Sequence, residues 1–365
     1  MRMIAKFRRP TAAAARAGTW RAVALTLLVS SGAWGLATAD SQDLPSVEFD
    51  RYSSLSSIGE LARRLLSPFD AEPLLRRLRE SGGSAASQPL DISAEKFLLH
   101  VPPTKPEEGY ALLVFIPPWQ QASLPEHWIP VLDQRGMIFV TAARSGNRES
   151  TMGRREPLAL LATYNVAQRY PVDPRRIYIG GFSGGSRIAL RLALGYPDVF
   201  RGALLNAGSD VVGNAAATPP IPLPPRELLY RLQESSRLVY ATGERDDEHL
   251  PDDMMSAQSL KQWCVYNSYQ FTVSRLEHAP VDAQALGRAL DALDVRPAAD
   301  ANRVSHCRDA LQAELDGQFQ KVSTLITGGQ RAEADRLLRQ IDRRYGGLAA
   351  PRSLDLLHSL VPDPH

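Results

Sequence analysis

Cysteine is scarce in this chain of 365 residues, which contains two, Cys264 and Cys307. No histidine or aspartate cluster stands beside either cysteine at the spacing of metal ligands. Because two thiolates cannot form a four-ligand zinc site alone, the sequence predicts no metal, and nothing in it indicates another cofactor. In an oxidising compartment the pair predicts a disulfide between Cys264 and Cys307, and two separate buried thiols are the alternative.

A surplus of basic charge is also missing. The formal net charge is +2, and residues 1–39 carry six basic and no acidic side chains, so +2 minus 6 leaves −4 on the rest. Proteins that bind nucleic acid need clustered Lys and Arg to neutralise phosphates, and this balance therefore argues against a nucleic-acid partner. Beyond residue 39 no apolar stretch approaches the roughly 20 residues of a membrane helix, so no membrane span is expected in the mature chain.

Residues 1–39 have the three parts of a bacterial secretory signal. Basic side chains from Arg2 to Arg21 precede an apolar run over residues 22–36, and small residues follow at 37–39, just before Asp40. The apolar run is shorter than a membrane span, which favours a cleaved signal peptide over an uncleaved anchor. The expected location is the periplasm or the medium.

The rest of the chain divides into three parts. Residues 40–88 read as a helical preface ending in a Gly/Ser-rich linker. Residues 89–296 alternate apolar runs with helical patterns, which predicts an α/β fold: a mostly parallel sheet with helices on both faces. Residues 297–365 are helical only and predict a small C-terminal appendage. The predicted strands cover residues 97–101, 111–116, 136–140, 176–180, 203–205, 237–240 and 270–273.

A serine in a glycine-rich turn follows the fourth predicted strand. The motif is Gly181-Phe182-Ser183-Gly184-Gly185, with a strand running into it and a helix beginning near Ser186. This strand–turn–helix context is what a nucleophile elbow requires, because the serine needs a strained backbone and its glycine neighbours leave room for strand and helix. The sequence therefore predicts Ser183 as a nucleophile.

A serine hydroxyl becomes a good nucleophile only beside an imidazole base that an acid orients. In folds built around a nucleophile elbow, the acid and then the histidine follow the serine along the chain. Asp246 follows the strand at 237–240 and is the predicted acid, with Asp247 as the alternative. The base is found by elimination, since it should lie in a loop after the last strand, where His278 stands. The other histidines precede the serine, lie beyond the sheet or stand too close to the acid loop: His100, His127, His249, His306, His358 and His365.

Two backbone N–H groups should bind the negative charge that develops on a carbonyl oxygen. Gly184, directly after the nucleophile, supplies one. The other should come from the loop after the strand at 111–116, which opens with Pro117-Pro118. Since proline has no N–H, the second donor is expected to be Trp119 or, failing that, Gln120.

These motifs resemble those of polyhydroxybutyrate depolymerase-like and feruloyl-esterase-like α/β-hydrolases over about residues 95–296. The resemblance rests on residues 172–186 and 196–200, the loop from Gly243 to Asp246, and the ending at 278–293. It implies an α/β-hydrolase fold and a carboxylic-ester hydrolase with a triad of Ser183, Asp246 and His278. The expected substrate is a small-molecule or polymeric ester.

The family usually has His-Gly where this chain has Pro117-Pro118, so its oxyanion loop and acyl pocket are expected to differ. No polymer-binding module is evident. A peptidase on the same fold and an inactive hydrolase-fold binding protein remain alternatives. The proline-rich residues 218–225 predict neither helix nor central strand, and are either a stiff rim over the site or a surface connection.

Overall fold

The computed structural model describes residues 46–213, 221–295 and 300–360, all within one compact unit. The predicted signal peptide and residues 214–220, which include the first three residues of the proline-rich region, lie outside the described residues. Eight strands, numbered β1 to β8 along the chain, cover Ser46–Val47, Phe97–His100, Tyr110–Ile116, Met137–Ala142, Val172–Phe182, Gly202–Asn206, Arg237–Gly243 and Ser268–Val273.

All eight strands form one sheet in the order β1-β2-β4-β3-β5-β6-β7-β8. β3 to β8 run parallel to one another. At one edge, β2 pairs antiparallel with β4, and β1 pairs antiparallel with β2. This mostly parallel sheet confirms the predicted α/β-hydrolase fold. The carboxyl ends of parallel strands meet at one edge, which is where open α/β sheets place their functional groups.

Helices cover both faces of the sheet, as predicted. Within the described residues, no helix is long and apolar enough to cross a membrane. The α-helices, numbered α1 to α11, cover Ile58–Leu65, Pro68–Glu80, Ile129–Gln134, Glu156–Arg169, Gly184–Gly195, Arg226–Ser235, His249–Gln262, Ala283–Asp294, Ala301–Thr327, Arg331–Tyr345 and Arg352–Leu360.

The central strand β3 shows why its sequence is apolar without interruption. Leu112 and Val114 face one hydrophobic cluster with α4 and α5, whereas Leu113 and Phe115 face a second cluster with α3 and α8. All seven residues of β3 are buried. A strand covered on both faces has no polar side, so alternation disappears from its sequence.

The helices before and after the sheet pack together on one flank. His358 of α11 contacts Glu72 of α2 at 2.8 Å, and the Asp342 carboxylate of α10 accepts a hydrogen bond of 3.1 Å from the Phe69 N–H of α2. Cys264, two residues after α7, and Cys307 in α9 form a disulfide. The described part of the proline-rich region, residues 221–225, lies against this flank, and its Leu223 carbonyl accepts from the N–H of Gly347.

Asp342 is a buried acid in this helical flank, with 3 % of its surface exposed. Burial raises the pKa of Asp342 to about 6, and the hydrogen bonds that it accepts only partly offset this effect. A carboxyl with a raised pKa in the folded state stabilises the fold while it is protonated. That contribution is lost as the pH rises from the unfolded pKa, about 3.9, through the folded one.

We predict that Asp342→Asn stabilises the protein at pH 8, because the amide keeps an oxygen for the Phe69 N–H and carries no charge. The gain should be about 1–3 kcal/mol at pH 8 and should shrink towards zero near pH 4. Urea unfolding of both proteins at the two pH values measures it. Asp335→Asn, at a half-buried position of the same helix where Asp335 pairs with Arg339 at 2.9 Å, is the control; it should change stability by no more than about 0.5 kcal/mol, without the gain at pH 8. A gain for Asp342→Asn that is equal at both pH values would contradict the assignment.

Candidate active site

The turn between β5 and α5 has the backbone of a nucleophile elbow. Ser183 stands alone between the two elements, with φ of 53° and ψ of −126°. A residue other than glycine rarely adopts a positive φ, and such backbone strain persists only where the surrounding structure enforces it. Here the Ser183 N–H donates a hydrogen bond of 2.9 Å to the carbonyl of Asn206 in β6.

The glycines of the motif are explained by close backbone contacts. A Cβ at Gly181 would lie 2.4 Å from the backbone of Gly185, and a Cβ at Gly185 would lie 1.9 Å from the carbonyl oxygen of Ile116. Real Cβ atoms do not approach backbone this closely, so α5 could not start where it does with larger residues. The two positions therefore fix where the hydroxyl of Ser183 stands.

The structure brings together the three residues predicted as a triad. The Ser183 Oγ lies 3.0 Å from the His278 Nε2, and the His278 Nδ1 lies 2.7 Å from the Asp246 Oδ2. Asp246 lies in the loop after β7 and His278 in the loop between β8 and α8. Asp247, the alternative acid, is exposed, and Asp246 makes the contact with the histidine. The arrangement can activate a serine hydroxyl for attack on a carbonyl carbon.

Asp246 is the buried member of this chain of hydrogen bonds, with 4 % of its surface exposed. Burial raises its pKa, but the hydrogen bonds from His278 and His249 outweigh burial, and the pKa of Asp246 lies below its ordinary value. An ionised Asp246 accepts the Nδ1–H of His278, which leaves the lone pair of Nε2 directed at the hydroxyl of Ser183.

A second histidine, His249, lies in the same site. Its Nδ1 is 2.9 Å from the Asp246 Oδ1, and its backbone N–H donates to the same oxygen at 3.2 Å. Its ring stacks on that of His278, with centroids 4.0 Å apart and an angle of 12° between the planes. The ring of Phe182 flanks His278 at 4.7 Å. From the sequence, His249 is excluded as the base because it stands too close to the acid loop. Its spacing of three residues from Asp246 is nevertheless a signal that it lies near the acid.

The predicted oxyanion loop is held by several polar contacts. The buried Arg155 guanidinium donates to the Pro117 carbonyl at 3.2 Å, and the Pro118 carbonyl accepts from the Asn147 N–H at 2.9 Å. Burial lowers the pKa of Arg155 to about 10, which still leaves it charged at neutral pH. Within the part of the chain that the structure describes, neither the Trp119 N–H nor the Gly184 N–H has a protein acceptor. Gln120, the other predicted donor, uses its carbonyl to accept from the Arg144 N–H at 2.6 Å.

Asn206, at the carboxyl end of β6, connects the parts of the site. Its backbone carbonyl accepts from the Ser183 N–H, its Oδ1 accepts from the Val281 N–H at 3.0 Å, and its Nδ2 donates to the Ala241 carbonyl at 2.9 Å. It is fully buried. The backbone of this residue thus contacts the nucleophile turn, and its side chain joins the strand before the acid to the segment after His278. Nothing in the local sequence had singled it out.

Asp246, His249 and His278 also form a cluster of potential metal ligands whose donor atoms lie within 4.8 Å of one another. Their nitrogen–oxygen distances of 2.7 and 2.9 Å are hydrogen-bond lengths, with a proton between each pair. A metal ion would have to displace both protons. The geometry therefore fits acid–base chemistry directed at Ser183 better than metal coordination.

Comparisons with known proteins give distant structural likenesses. No protein-family model matches the chain, and no curated protein matches it. A putative dipeptidyl aminopeptidase IV from Bacteroides ovatus aligns with 15% identity and a TM-score of 0.42 over 54% of this chain. The chain spans 33% of the length of that protein.

An esterase from Thermogutta terrifontis, Est2, aligns in its butyrate-bound form with 17% identity and a TM-score of 0.39, over 56% of this chain and 88% of the esterase. Its propionate-bound form aligns with 16% identity and a TM-score of 0.41, over 56% of this chain and 89% of the esterase. At these low sequence identities and TM-scores, the likenesses do not indicate what chemistry the site of this chain performs.

We predict that Asn206→Ala lowers both stability and activity. It leaves the buried Val281 N–H and Ala241 carbonyl without partners, which costs about 2–5 kcal/mol in urea unfolding. It also removes the contacts that hold the segment after His278 to the strand before Asp246, so p-nitrophenol release from p-nitrophenyl acetate should fall about tenfold or more.

The matched control for this variant is Asn165→Ala. Asn165 is equally buried in α4 and makes three side-chain hydrogen bonds, to the N–H and carbonyl of Arg51 and to the carbonyl of Leu161. Its loss should cost a similar free energy of unfolding while the folded protein keeps its activity. Equal activity of the two folded variants would show that Asn206 has no special role in the site.

Proposed function

We propose that this chain is an exported serine hydrolase that cleaves carboxylic esters through an acyl-enzyme on Ser183. The observation that carries the proposal is the pair of distances at His278, 3.0 Å from Nε2 to the Ser183 Oγ and 2.7 Å from Nδ1 to the Asp246 Oδ2. A nucleophile, its base and the group that orients the base are thus in hydrogen-bond contact on a strained elbow.

In the first half of the reaction, the His278 Nε2 takes the proton of Ser183 as its oxygen attacks the ester carbonyl. The carbonyl oxygen becomes an oxyanion, for which the N–H groups of Gly184 and Trp119 are the proposed donors. The imidazolium then gives its proton to the departing alkoxide, the ester bond breaks, and the alcohol leaves an acyl-enzyme.

In the second half, His278 takes a proton from water, and the hydroxide oxygen attacks the acyl carbon. The bond to the Ser183 Oγ breaks, and the proton passes from His278 to that oxygen, which restores the enzyme and releases the acid. Asp246, ionised and buried, stabilises the imidazolium in both halves without taking up a proton.

Three further features support ester substrates or export. The motifs resembling polyhydroxybutyrate depolymerase-like and feruloyl-esterase-like hydrolases include the elbow and the loops that carry Asp246 and His278. The His278 side chain is 37% exposed, so large as well as small esters can approach the triad. The disulfide between Cys264 and Cys307 fits the oxidising compartment to which a signal over residues 1–39 would direct the chain.

The proposal is tested with a matched ester and amide, p-nitrophenyl acetate and p-nitroacetanilide, which share the acyl group and differ at the scissile bond. We expect turnover of the ester by the mature chain, residues 40–365, and turnover of the anilide lower by several orders of magnitude. Ser183→Ala should reduce ester turnover by about 10³-fold or more. Preferential cleavage of the anilide would favour a peptidase, and equal rates for Ser183→Ala and the unmutated protein would contradict any hydrolase acting through this serine.

A further inference from the structure

His249 stands at the first position of α7, with its side chain 13% exposed. It makes two different contacts with the triad. Through Nδ1 and its backbone N–H it binds the Asp246 Oδ1, the carboxylate oxygen that His278 does not use. Through the face of its ring it stacks on His278 at 4.0 Å.

The contact with Asp246 restricts the carboxylate. A carboxylate held at a single oxygen can rotate about its Cβ–Cγ bond, whereas here both oxygens have imidazole partners. Oδ2 therefore stays directed at the Nδ1 of His278. The donor group that matters is the Nδ1–H of His249, because the backbone N–H at position 249 would remain in any variant.

The stacking contact restricts the base. The rings of His249 and Phe182 both pack against His278, at 4.0 and 4.7 Å between centroids, and limit tilting of its ring. The ring has to hold Nε2 within hydrogen-bond reach of Ser183 while its charge changes during the reaction. Phenylalanine at position 249 could supply such a stack, but only a polar side chain could also bind Asp246.

We infer that His249 is a positioning residue of this active site, which orients Asp246 and His278 through these contacts. The inference rests on the proposed function and goes beyond it, because a triad needs one histidine and this site contains two that share one carboxylate.

Three variants separate the contacts. His249→Asn keeps an N–H donor on the same branch of the side chain as Nδ1, but loses the ring. His249→Phe keeps a ring and loses the donor, and His249→Ala loses both. The measurement is kcat/KM for p-nitrophenyl acetate from pH 5 to pH 9, with Ser183→Ala as the baseline.

We expect His249→Ala and His249→Phe to lower kcat/KM at pH 8 by about tenfold, and His249→Asn to remain within about threefold of the unmutated protein. A residue that only supported the fold would not show this selective rescue by the variant that keeps the N–H donor.

Two results would overturn the inference while leaving the proposed function intact: an active enzyme whose His249→Asn variant is as slow as His249→Ala, or an active enzyme whose His249→Ala variant is as fast as the unmutated protein. An unmutated protein no faster than Ser183→Ala would instead overturn the proposed function, and this inference with it.

Discussion

The geometry of the site depends on one buried carboxylate. Asp246 has both oxygens engaged, Oδ2 by His278 at 2.7 Å and Oδ1 by His249 at 2.9 Å. These bonds hold the pKa of Asp246 below its ordinary value despite its burial, so it is ionised at neutral pH. In the proposed mechanism, a negative charge fixed at this point orients the imidazole that faces Ser183, and this orientation activates the serine.

The sheet positions this carboxylate and its partners. Ser183, Asn206 and Asp246 stand at or just beyond the carboxyl ends of β5, β6 and β7, which are neighbouring strands. Parallel strands bring residues distant in sequence to one edge, and buried side chains then fix the loops there: Asn206 holds the segment after His278, and Arg155 holds the carbonyl of Pro117. The chemistry is thus carried by loops supported on a rigid scaffold.

Much of this architecture could be predicted from the sequence. The apolar run in β3 and the strand–turn–helix around Ser183 are local sequence patterns that each predict one structure. The order of residues along the chain indicated Asp246 and His278. α7 was missed, since its start contains Pro251 and its apolar residues lack a clear period, and with it the place of His249. β1 was missed because two residues carry no pattern. Asn206 could not be found at all, because its role exists only through three contacts between strands and loops.

The central claim is that the contacts around Asp246 make Ser183 reactive, and the most direct measurement is labelling with a fluorophosphonate followed by peptide mapping, since it presumes no substrate. The account predicts a single adduct, on Ser183, that disappears in His278→Ala. A folded protein that takes no label, or takes it on another residue, would contradict the account.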